Sequence, residues 1–239
     1  MLAKTLHLDS TLKELMEFPD NAFPFGIWQD HFNETVGQIL NYHWHETIEM
    51  NVMLKGTLDY RLNDQHFTLN EGDSMIIYSN SLHGAALRKK ESSAEMLTIV
   101  FSADILTGGG AGTIYQKYFQ TLSDEGFLGK KFKGNSEIGK TMQGALMELA
   151  SVKTGTGYEL RVLAKLSTIW EKLFLHLVEQ QKTSLNKRPE KYEKEIKAVM
   201  NYIQQNYMNR ITIQTICEHT GISRSECFRI FAEYSSLRL

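Results

Sequence analysis

The chain has 239 residues, of which 42% are hydrophobic and 23% are charged, and its net charge is −2. These values are near the average for folded domains and argue against collagen-like, disordered and disulfide-rich proteins. No stretch is apolar enough to span a bilayer, and charged residues come too early at the N-terminus for a signal peptide. We therefore expect a cytoplasmic protein whose only cysteines, Cys217 and Cys227, are buried, reduced thiols.

Charge is distributed unevenly along the chain. Residues 184–239 hold nine Lys or Arg against six Asp or Glu, whereas the remaining residues hold seventeen against twenty-two. A mildly basic C-terminal part on an acidic body permits contact with nucleic acid.

The first hundred residues are typical of short strands joined by turns. Residues 57–62 and 66–69 flank a run of turn-forming residues, which predicts a hairpin. Further apolar runs follow at residues 75–78 and 96–101. Many short strands without a helical period favour a β-sandwich or a small barrel.

After residue 136 the apolar residues follow a helical period. The spacing predicts one helix from Ser136 to about residue 150 and a second from Tyr158 to Gln180. The second helix has an apolar stripe wider than one partner helix covers, so either the strands or a second subunit would cover the rest. Residues 181–190 are polar and contain a proline, which is typical of a linker, and another helical stripe follows from Tyr192 to Tyr207.

The C-terminal residues have the pattern of two short helices joined by a tight turn. Thr212 is a capping residue for a helix over residues 213–219, and a turn follows at residues 220–222. A capping box formed by Ser223 and Glu226 starts a second helix that runs at least to Tyr234. Four residues of that helix share its inner face: Cys227, Ile230, Phe231 and Tyr234.

The outward face of this second helix is polar and basic, and it consists of Arg224, Ser225, Phe228 and Arg229. Helix, glycine-containing turn and polar second helix make the helix-turn-helix plan, in which the second helix enters the DNA major groove. A helical hairpin with solvated arginines has the same spacing and remains an alternative.

Residues 43–49, HWHETIE, contain a possible ligand-binding group. His43, His45 and Glu49 would share one face of a predicted strand, and His83 is a fourth candidate. Three imidazoles and a carboxylate suit Zn, Fe, Mn or Ni. The same group could bind a polar ligand such as a sugar without metal, or form a structural polar network, or His43 and His83 could face water.

Two aromatic residues are further candidates for this pocket. Trp28 and Tyr60 could stack on a sugar, although aromatic residues between strands are more often part of the core.

Residues 37–87 resemble the two sequence motifs of the cupin family. The first motif is matched at every position by Gly37-x5-His43-x-His45-x3-Glu49-x6-Gly56. The second is matched at Gly72 and His83 and departs at Tyr78, Asn80 and Leu87, where the motif has proline, glycine and asparagine.

Residues 211–231, ITIQTICEHTGISRSECFRIF, resemble the first helix-turn-helix of the AraC/XylS family of transcription regulators. This resemblance implies an α+β fold: an N-terminal cupin-like β-barrel, two dimerisation helices, and then a small all-α helix-turn-helix unit. It divides the chain into an effector-binding and dimerisation domain (1–180), a linker (181–190) and a DNA-binding domain (191–239). It also implies a homodimer that is not an enzyme, needs no cofactor, and binds double-stranded operator DNA and a small-molecule effector.

The resemblance assigns roles to the residues named above. The effector would contact His43, His45, Glu49, His83, Trp28 and Tyr60, and DNA bases would contact Arg224, Ser225, Phe228 and Arg229. The sequence departs from the family pattern at Cys217, which replaces a small alanine, at Cys227, which replaces a larger apolar residue, and at Phe228, which replaces a small polar one.

The family carries two helix-turn-helix units, and the residues up to Leu239 leave room for one. We therefore expect a ligand-responsive transcription regulator whose DNA-binding part is incomplete at the C-terminus. Two alternatives remain open: a metal-dependent cupin enzyme that uses the three histidines and Glu49, and a ligand-binding dimer that has lost its DNA function.

Overall fold

The computed structural model describes residues 6–33, 35, 39–88, 91–109, 112–181, 195, 198–199, 202–203, 206 and 211–234. The strands within these residues are β1 (Phe25–Asn33), β2 (Ile39–His43), β3 (Ile48–Lys55), β4 (Thr57–Leu62), β5 (Gln65–Asn70), β6 (Ser74–Ile77), β7 (His83–Leu87), β8 (Ser93–Phe101) and β9 (Gly129–Phe132).

The helices are α1 (Asp104–Thr107), α2 (Thr113–Tyr115), a π-helical segment (Gln116–Gln120), α3 (Thr121–Asp124), α4 (Glu137–Ala150), α5 (Tyr158–Gln181), α6 (Ile213–Thr220) and α7 (Arg224–Tyr234). The two helices predicted after residue 136 correspond to α4 and α5. The predicted linker, apart from Gln181, and most of the helical stripe over residues 192–207 lie outside the described residues.

The strands form two antiparallel sheets, with orders β1-β8-β3-β6-β9 and β2-β7-β4-β5. Antiparallel, cupin-like sheets followed by helices confirm the predicted fold class. The predicted β-barrel is not closed, because no ladder joins the two sheets among the described strands. The sheets instead bury their inner faces through one apolar cluster that contains Phe32 and Met53 from the first sheet and Leu58 and Ala85 from the second.

The predicted hairpin corresponds to β4 and β5, paired from Thr57 opposite Asn70 to Leu62 opposite Gln65. Asn63 adopts a φ of 50° at the turn, a left-handed conformation that asparagine tolerates. The β3–β4 turn depends on glycine: Gly56 has a φ of 75°, and a Cβ there would lie 2.5 Å from the backbone oxygen of Ser93.

Strand β3 is buried on both faces, and this arrangement positions the ligand-binding group. Ile48, Met50 and Val52 face the helices in a large apolar cluster with residues of α4 and α5. Alternation along the strand therefore directs Glu49 and Asn51 to the opposite face, between the two sheets.

The apolar stripe of α5 packs on the outer face of the five-stranded sheet. Its five central members are buried in the same cluster as the strands and α4: Val162, Leu166, Ile169, Leu173 and Leu177. The sheet therefore covers much of the stripe that a single helix could not cover.

The helix-turn-helix packs against the N-terminal part of the chain. Ile216, Ile222 and Cys227 form a buried cluster with Leu12 and Leu82. Both cysteines are free thiols, but only Cys227 is buried as expected, whereas Cys217 is partly exposed. Burial, and then the neighbouring Cys217 thiol, raise the pKa of Cys227 to about 11.

None of the described helices has the length and hydropathy that a membrane crossing requires.

The N-terminal cap of α6 is a reciprocal pair of hydrogen bonds. The side chain of Thr212 accepts from the backbone N–H of Thr215 (3.2 Å), and the side chain of Thr215 accepts from that of Thr212 (3.1 Å). We expect Thr212→Ala to lower the free energy of unfolding by about 1 kcal/mol. Urea unfolding followed by circular dichroism measures this loss, and Thr154→Ala, in an exposed loop, is the control. Equal stability of the two variants would contradict the role of the cap.

Candidate functional site between the sheets

The ligand-binding group is assembled from two strands of one sheet, one strand of the other, and the connection between the sheets. His43 ends β2, His83 begins β7, and these two residues are paired in register. Glu49 lies in β3, and His45 lies in the connection from β2 to β3. The prediction of one continuous strand is wrong because the chain crosses from one sheet to the other between His43 and Ile48.

The four predicted side chains nevertheless converge. One ligand atom from each of His43, His45, Glu49 and His83 lies within 4.8 Å of the others, and all four residues are buried. Oε2 of Glu49 lies 3.3 Å from Nε2 of His45 and 3.8 Å from Nε2 of His83. The alternative in which His43 and His83 face water is therefore wrong, since both residues are 0% exposed.

Backbone carbonyl groups orient all three imidazole rings. Nδ1 of His43 lies 2.8 Å from the Asn41 oxygen, Nδ1 of His45 lies 3.0 Å from the Thr47 oxygen, and Nδ1 of His83 lies 2.9 Å from the Ser81 oxygen. A carbonyl oxygen only accepts hydrogen bonds, so these contacts favour a proton on Nδ1 of His43 and His83, whereas Nδ1 of His45 also contacts the Thr47 hydroxyl, which can donate. In a neutral ring protonated at Nδ1 the lone pair is on Nε2, the atom that the group directs toward Glu49.

Glu49 is held from its other side by polar residues. Its Oε1 accepts hydrogen bonds from Nδ2 of Asn51 (2.9 Å) and from the hydroxyl of Tyr60 (3.4 Å). Burial, together with the negative charges of Glu49 and Asp30, raises the pKa of Tyr60 well above its usual value. Tyr60 therefore stays protonated and keeps donating, which leaves Oε2 of Glu49 on the histidine side.

The two aromatic candidates differ in their relation to the group. The ring of Tyr60 stacks 6.3 Å from that of His83 and is 1% exposed, so Tyr60 belongs to the wall of the site. The ring of Trp28 folds over Gly26 and packs 6.4 Å from Phe18. Trp28 is buried.

Three residues near the group were not predicted from the sequence. Oε2 of Glu14 lies 3.6 Å from Nε2 of His43, and its side chain is 3% exposed. The hydroxyl of Thr47 lies 2.8 Å from Nδ1 of His45, and Asn51 contacts Glu49. The alternation around Glu49 was a signal for Asn51, but no local pattern indicates Glu14.

A departure from the second cupin motif has a structural explanation. Asn80 occupies the position where the motif has glycine, and its φ of 65° is the left-handed conformation that glycine adopts most easily. Its backbone N–H donates to the oxygen of His45 at 2.7 Å. Asparagine therefore preserves the turn, and this turn fixes the backbone beside His45.

The chemistry of the group suits a divalent transition metal. Three imidazole nitrogens and one carboxylate oxygen, buried and close together, are suitable ligands for Zn, Fe, Mn or Ni. The same atoms can also accept hydrogen bonds from a hydroxylated organic ligand.

The second candidate surface is the outward face of α7. Arg224, Ser225 and Phe228 are exposed, and the guanidinium group of Arg224 lies 5.8 Å from the centre of the Phe228 ring. Arg229 forms an ion pair with Glu226. The side chain of Ser223 accepts a hydrogen bond from the backbone N–H of Glu226 (3.3 Å), which is one of the two hydrogen bonds of the predicted capping box.

The predicted inner face of α7 is described at Cys227, which is buried. The side chains of Ile230, Phe231 and Tyr234 lie outside the described part of the structure.

The chain matches the Cupin domain family over residues 31–100, which contain the four-residue group. It is homologous to a protein of Bacillus subtilis named uncharacterized HTH-type transcriptional regulator YdeC. The two sequences are 26% identical over 234 residues, which cover 95% of this chain and 77% of that protein.

Two solved structures of regulators are also similar to this chain. Apo ToxT from Vibrio cholerae, as a point variant, has a TM-score of 0.45 at 12% identity, over 89% of this chain and 76% of that one. The AraC-like transcriptional activator CuxR has a TM-score of 0.40 at 14% identity, over 79% of this chain and 61% of that one.

Proposed function

We propose that the chain is a cytoplasmic, DNA-binding transcription regulator that responds to a ligand bound between its two sheets. The observation that carries this proposal is the pair α6 and α7, joined at Gly221, in a chain homologous along 95% of its length to an HTH-type transcriptional regulator. The turn fits the plan, because Gly221 has a φ of 70° and its N–H bonds to the Cys217 oxygen.

In this proposal residues 1–180 bind the effector and dimerise, residues 181–190 link the domains, and residues 191–239 bind DNA. A homodimer through α4 and α5 is supported by large apolar side chains left exposed on α5, since Leu160 is 71% exposed and Leu175 is 56% exposed. Residues of the two proposed domains pack together within one chain, so a ligand bound between the sheets can act on the DNA-binding unit through these contacts.

These contacts run through the N-terminal segment. Leu12 is buried in one cluster with Ile216 and Ile222 of the helix-turn-helix. Two residues further on, Glu14 lies against His43 of the ligand-binding group. A ligand that moves this segment would therefore change its packing on the DNA-binding unit and shift an equilibrium between DNA-competent and other states.

DNA recognition is assigned to the first turns of α7. Arg224 can reach a guanine edge, Phe228 can contact a thymine methyl group, and Ser225 can bond to a base or phosphate. Arg229 would exchange its ion pair with Glu226 for a contact with DNA. This assignment makes Arg224 the clearest test, because its guanidinium group lies over the exposed ring of Phe228.

We expect Arg224→Ala to weaken binding to the operator by about 1–3 kcal/mol if the arginine contacts a base. Fluorescence anisotropy with a labelled duplex from the chain's own upstream region measures the loss. Arg88→Ala is the control: it also removes an exposed arginine, but from the end of the cupin sheet. Equal affinities of the two variants would count against α7 as the recognition helix.

A second candidate function concerns the ligand, and the orientation of the three imidazoles favours it. The geometry supports a divalent transition metal as the species bound by His43, His45, Glu49 and His83. A metal there could be a sensed ion, a link to an organic effector, or the centre of a metal-dependent enzyme. Metal analysis of tag-free protein tests for the ion, and substrate turnover that is lost on chelation would assign the enzyme.

A further inference from the structure

The two cysteines of the chain lie against each other inside the helix-turn-helix. Cys217 is in α6 and Cys227 is in α7. Cys227 is a buried member of the apolar cluster between these helices, and Cys217 packs against that cluster. A side-chain hydrogen bond links the two thiols. The sequence contains no other cysteine, so a disulfide within one chain can form only between these two residues.

The backbone on either side of the turn holds the two residues in regular structure. The N–H of Gly221 donates to the oxygen of Cys217 (3.0 Å), and the N–H of Cys227 donates to the oxygen of Ser223 (2.9 Å). Gly221 closes α6 with a φ of 70°, and α7 begins three residues later. The thiols therefore meet from two hydrogen-bonded helices and not from a loose loop.

The two thiols differ in their access to solvent. Cys217 is partly exposed, whereas Cys227 is 0% exposed. An oxidant in solution can therefore reach the sulfur of Cys217 but not that of Cys227. Burial also raises the pKa of Cys227, which keeps this thiol protonated and a poor nucleophile toward an oxidant. An accessible cysteine beside a second, resolving cysteine is the arrangement found in redox sensors.

We infer that Cys217 and Cys227 form a redox-modification site, at which a peroxide converts the two thiols to a disulfide within the helix-turn-helix. With hydrogen peroxide, the thiolate sulfur of Cys217 attacks one oxygen and the O–O bond breaks, which gives a sulfenic acid and one water. The sulfur of Cys227 then attacks that of Cys217, the S–O bond breaks, and the Cys227 proton leaves with the hydroxyl group as a second water. The two sulfur atoms lose two electrons in total, and a thiol reductant reverses the change. In a reducing compartment such a disulfide is transient, as is typical of redox sensing.

The expected consequence for DNA binding rests on the proposed function. A disulfide holds two sulfur atoms closer together than a hydrogen bond does, so α6 and α7 must shift against each other. Phe228, on the outward face proposed to contact DNA, directly follows Cys227 in the sequence. The shift therefore displaces that face, and oxidation should weaken binding to the operator.

The test treats tag-free, full-length protein with hydrogen peroxide and counts its thiols in denaturant. We expect both thiols to be lost, the protein to migrate as a single chain on a non-reducing denaturing gel, and dithiothreitol to restore both thiols. We also expect oxidation to lower the affinity for the native upstream duplex by about 10-fold, comparable to the loss of one base contact. Cys217→Ala is the control: its remaining thiol is buried and should stay titratable, and its DNA affinity should not respond to peroxide.

The outcomes separate the thiol chemistry from the proposed function. Two titratable thiols after treatment, or disulfides only between chains, would overturn the inference. A loss of DNA affinity of equal size in Cys217→Ala would contradict the role of the disulfide in DNA binding. If the reduced protein showed no preference for the native duplex, the proposed function would fail, while the thiol count would still decide whether the disulfide forms. That count uses the unmodified protein, so it holds even if circular dichroism shows that Cys217→Ala does not fold.

Discussion

Replacing His83 by alanine is expected to abolish high-affinity binding of Ni²⁺ or Co²⁺. The variant removes one of the three imidazoles proposed to bind the metal, whose Nδ1 lies 2.9 Å from the oxygen of Ser81. Loss of a residue that merely supports a ligand already weakens binding by about 10- to 100-fold, and loss of a ligand should exceed that range. Isothermal titration calorimetry of both proteins gives the two dissociation constants.

His66→Ala is the matched control for this prediction. His66 lies in β5 and is exposed, so its removal tests whether surface histidines account for metal binding. If His83→Ala bound Ni²⁺ as tightly as the unmodified protein and as His66→Ala, the group between the sheets would not be a metal site. The organic-ligand pocket or the structural polar network would then be the better account of the four residues.

Replacing Trp170 by alanine is expected to lower the free energy of unfolding by about 3–5 kcal/mol. Trp170 is 4% exposed and joins α5 to the rest of the cupin domain. Its ring stacks on Phe119 at 4.3 Å and lies 6.2 Å from Phe101, and its indole N–H donates to the Tyr118 oxygen at 3.3 Å. The variant therefore loses aromatic contacts, a hydrogen bond and apolar burial together.

Lys172→Ala is the control on the same helix, because Lys172 is exposed. Its effect on the unfolding of the monomer should stay within about 0.5 kcal/mol. Urea unfolding followed by tryptophan fluorescence and circular dichroism measures both variants. A loss below 1 kcal/mol for Trp170→Ala would mean that the helices contribute little to the stability of the sheets.

The residues of the ligand-binding group were predictable from the sequence, but the path of the backbone that brings them together was not. Alternation along an assumed strand placed His43, His45 and Glu49 on one face. The structure reaches the same convergence by a chain that leaves one sheet at His43 and enters the other at Ile48. Local periodicity records which residues are polar, but it does not record where the chain changes sheets.

The position of Glu14 could not be predicted from the sequence at all. It belongs to a segment without a strand pattern, and its position follows from hydrogen bonds to Trp44 that form only in the folded protein. The open edges of the two sheets are a similar case, because strand patterns do not state which edges pair. By contrast, the buried stripe of α5 could be predicted directly from its helical period.

At Asn80 and Tyr60 the sequence pattern identified the right position, but the side chain there differs from the motif or acts differently from what was predicted. Asn80 replaces a motif glycine yet adopts the same left-handed backbone. Tyr60 was a candidate for stacking on a sugar, and it supports Glu49 by a hydrogen bond from within the wall. Sequence patterns identify the positions, whereas burial and hydrogen bonding decide what each side chain does there.

The most direct test of the proposed regulator is its binding to DNA. The purified chain should be titrated by fluorescence anisotropy into its own upstream DNA and into a scrambled duplex, over a series of salt concentrations. The proposal predicts a preference for the native duplex that persists as salt rises, because base contacts from α7 survive when phosphate contacts are screened. Equal, salt-sensitive binding to both duplexes, or no binding, would contradict it.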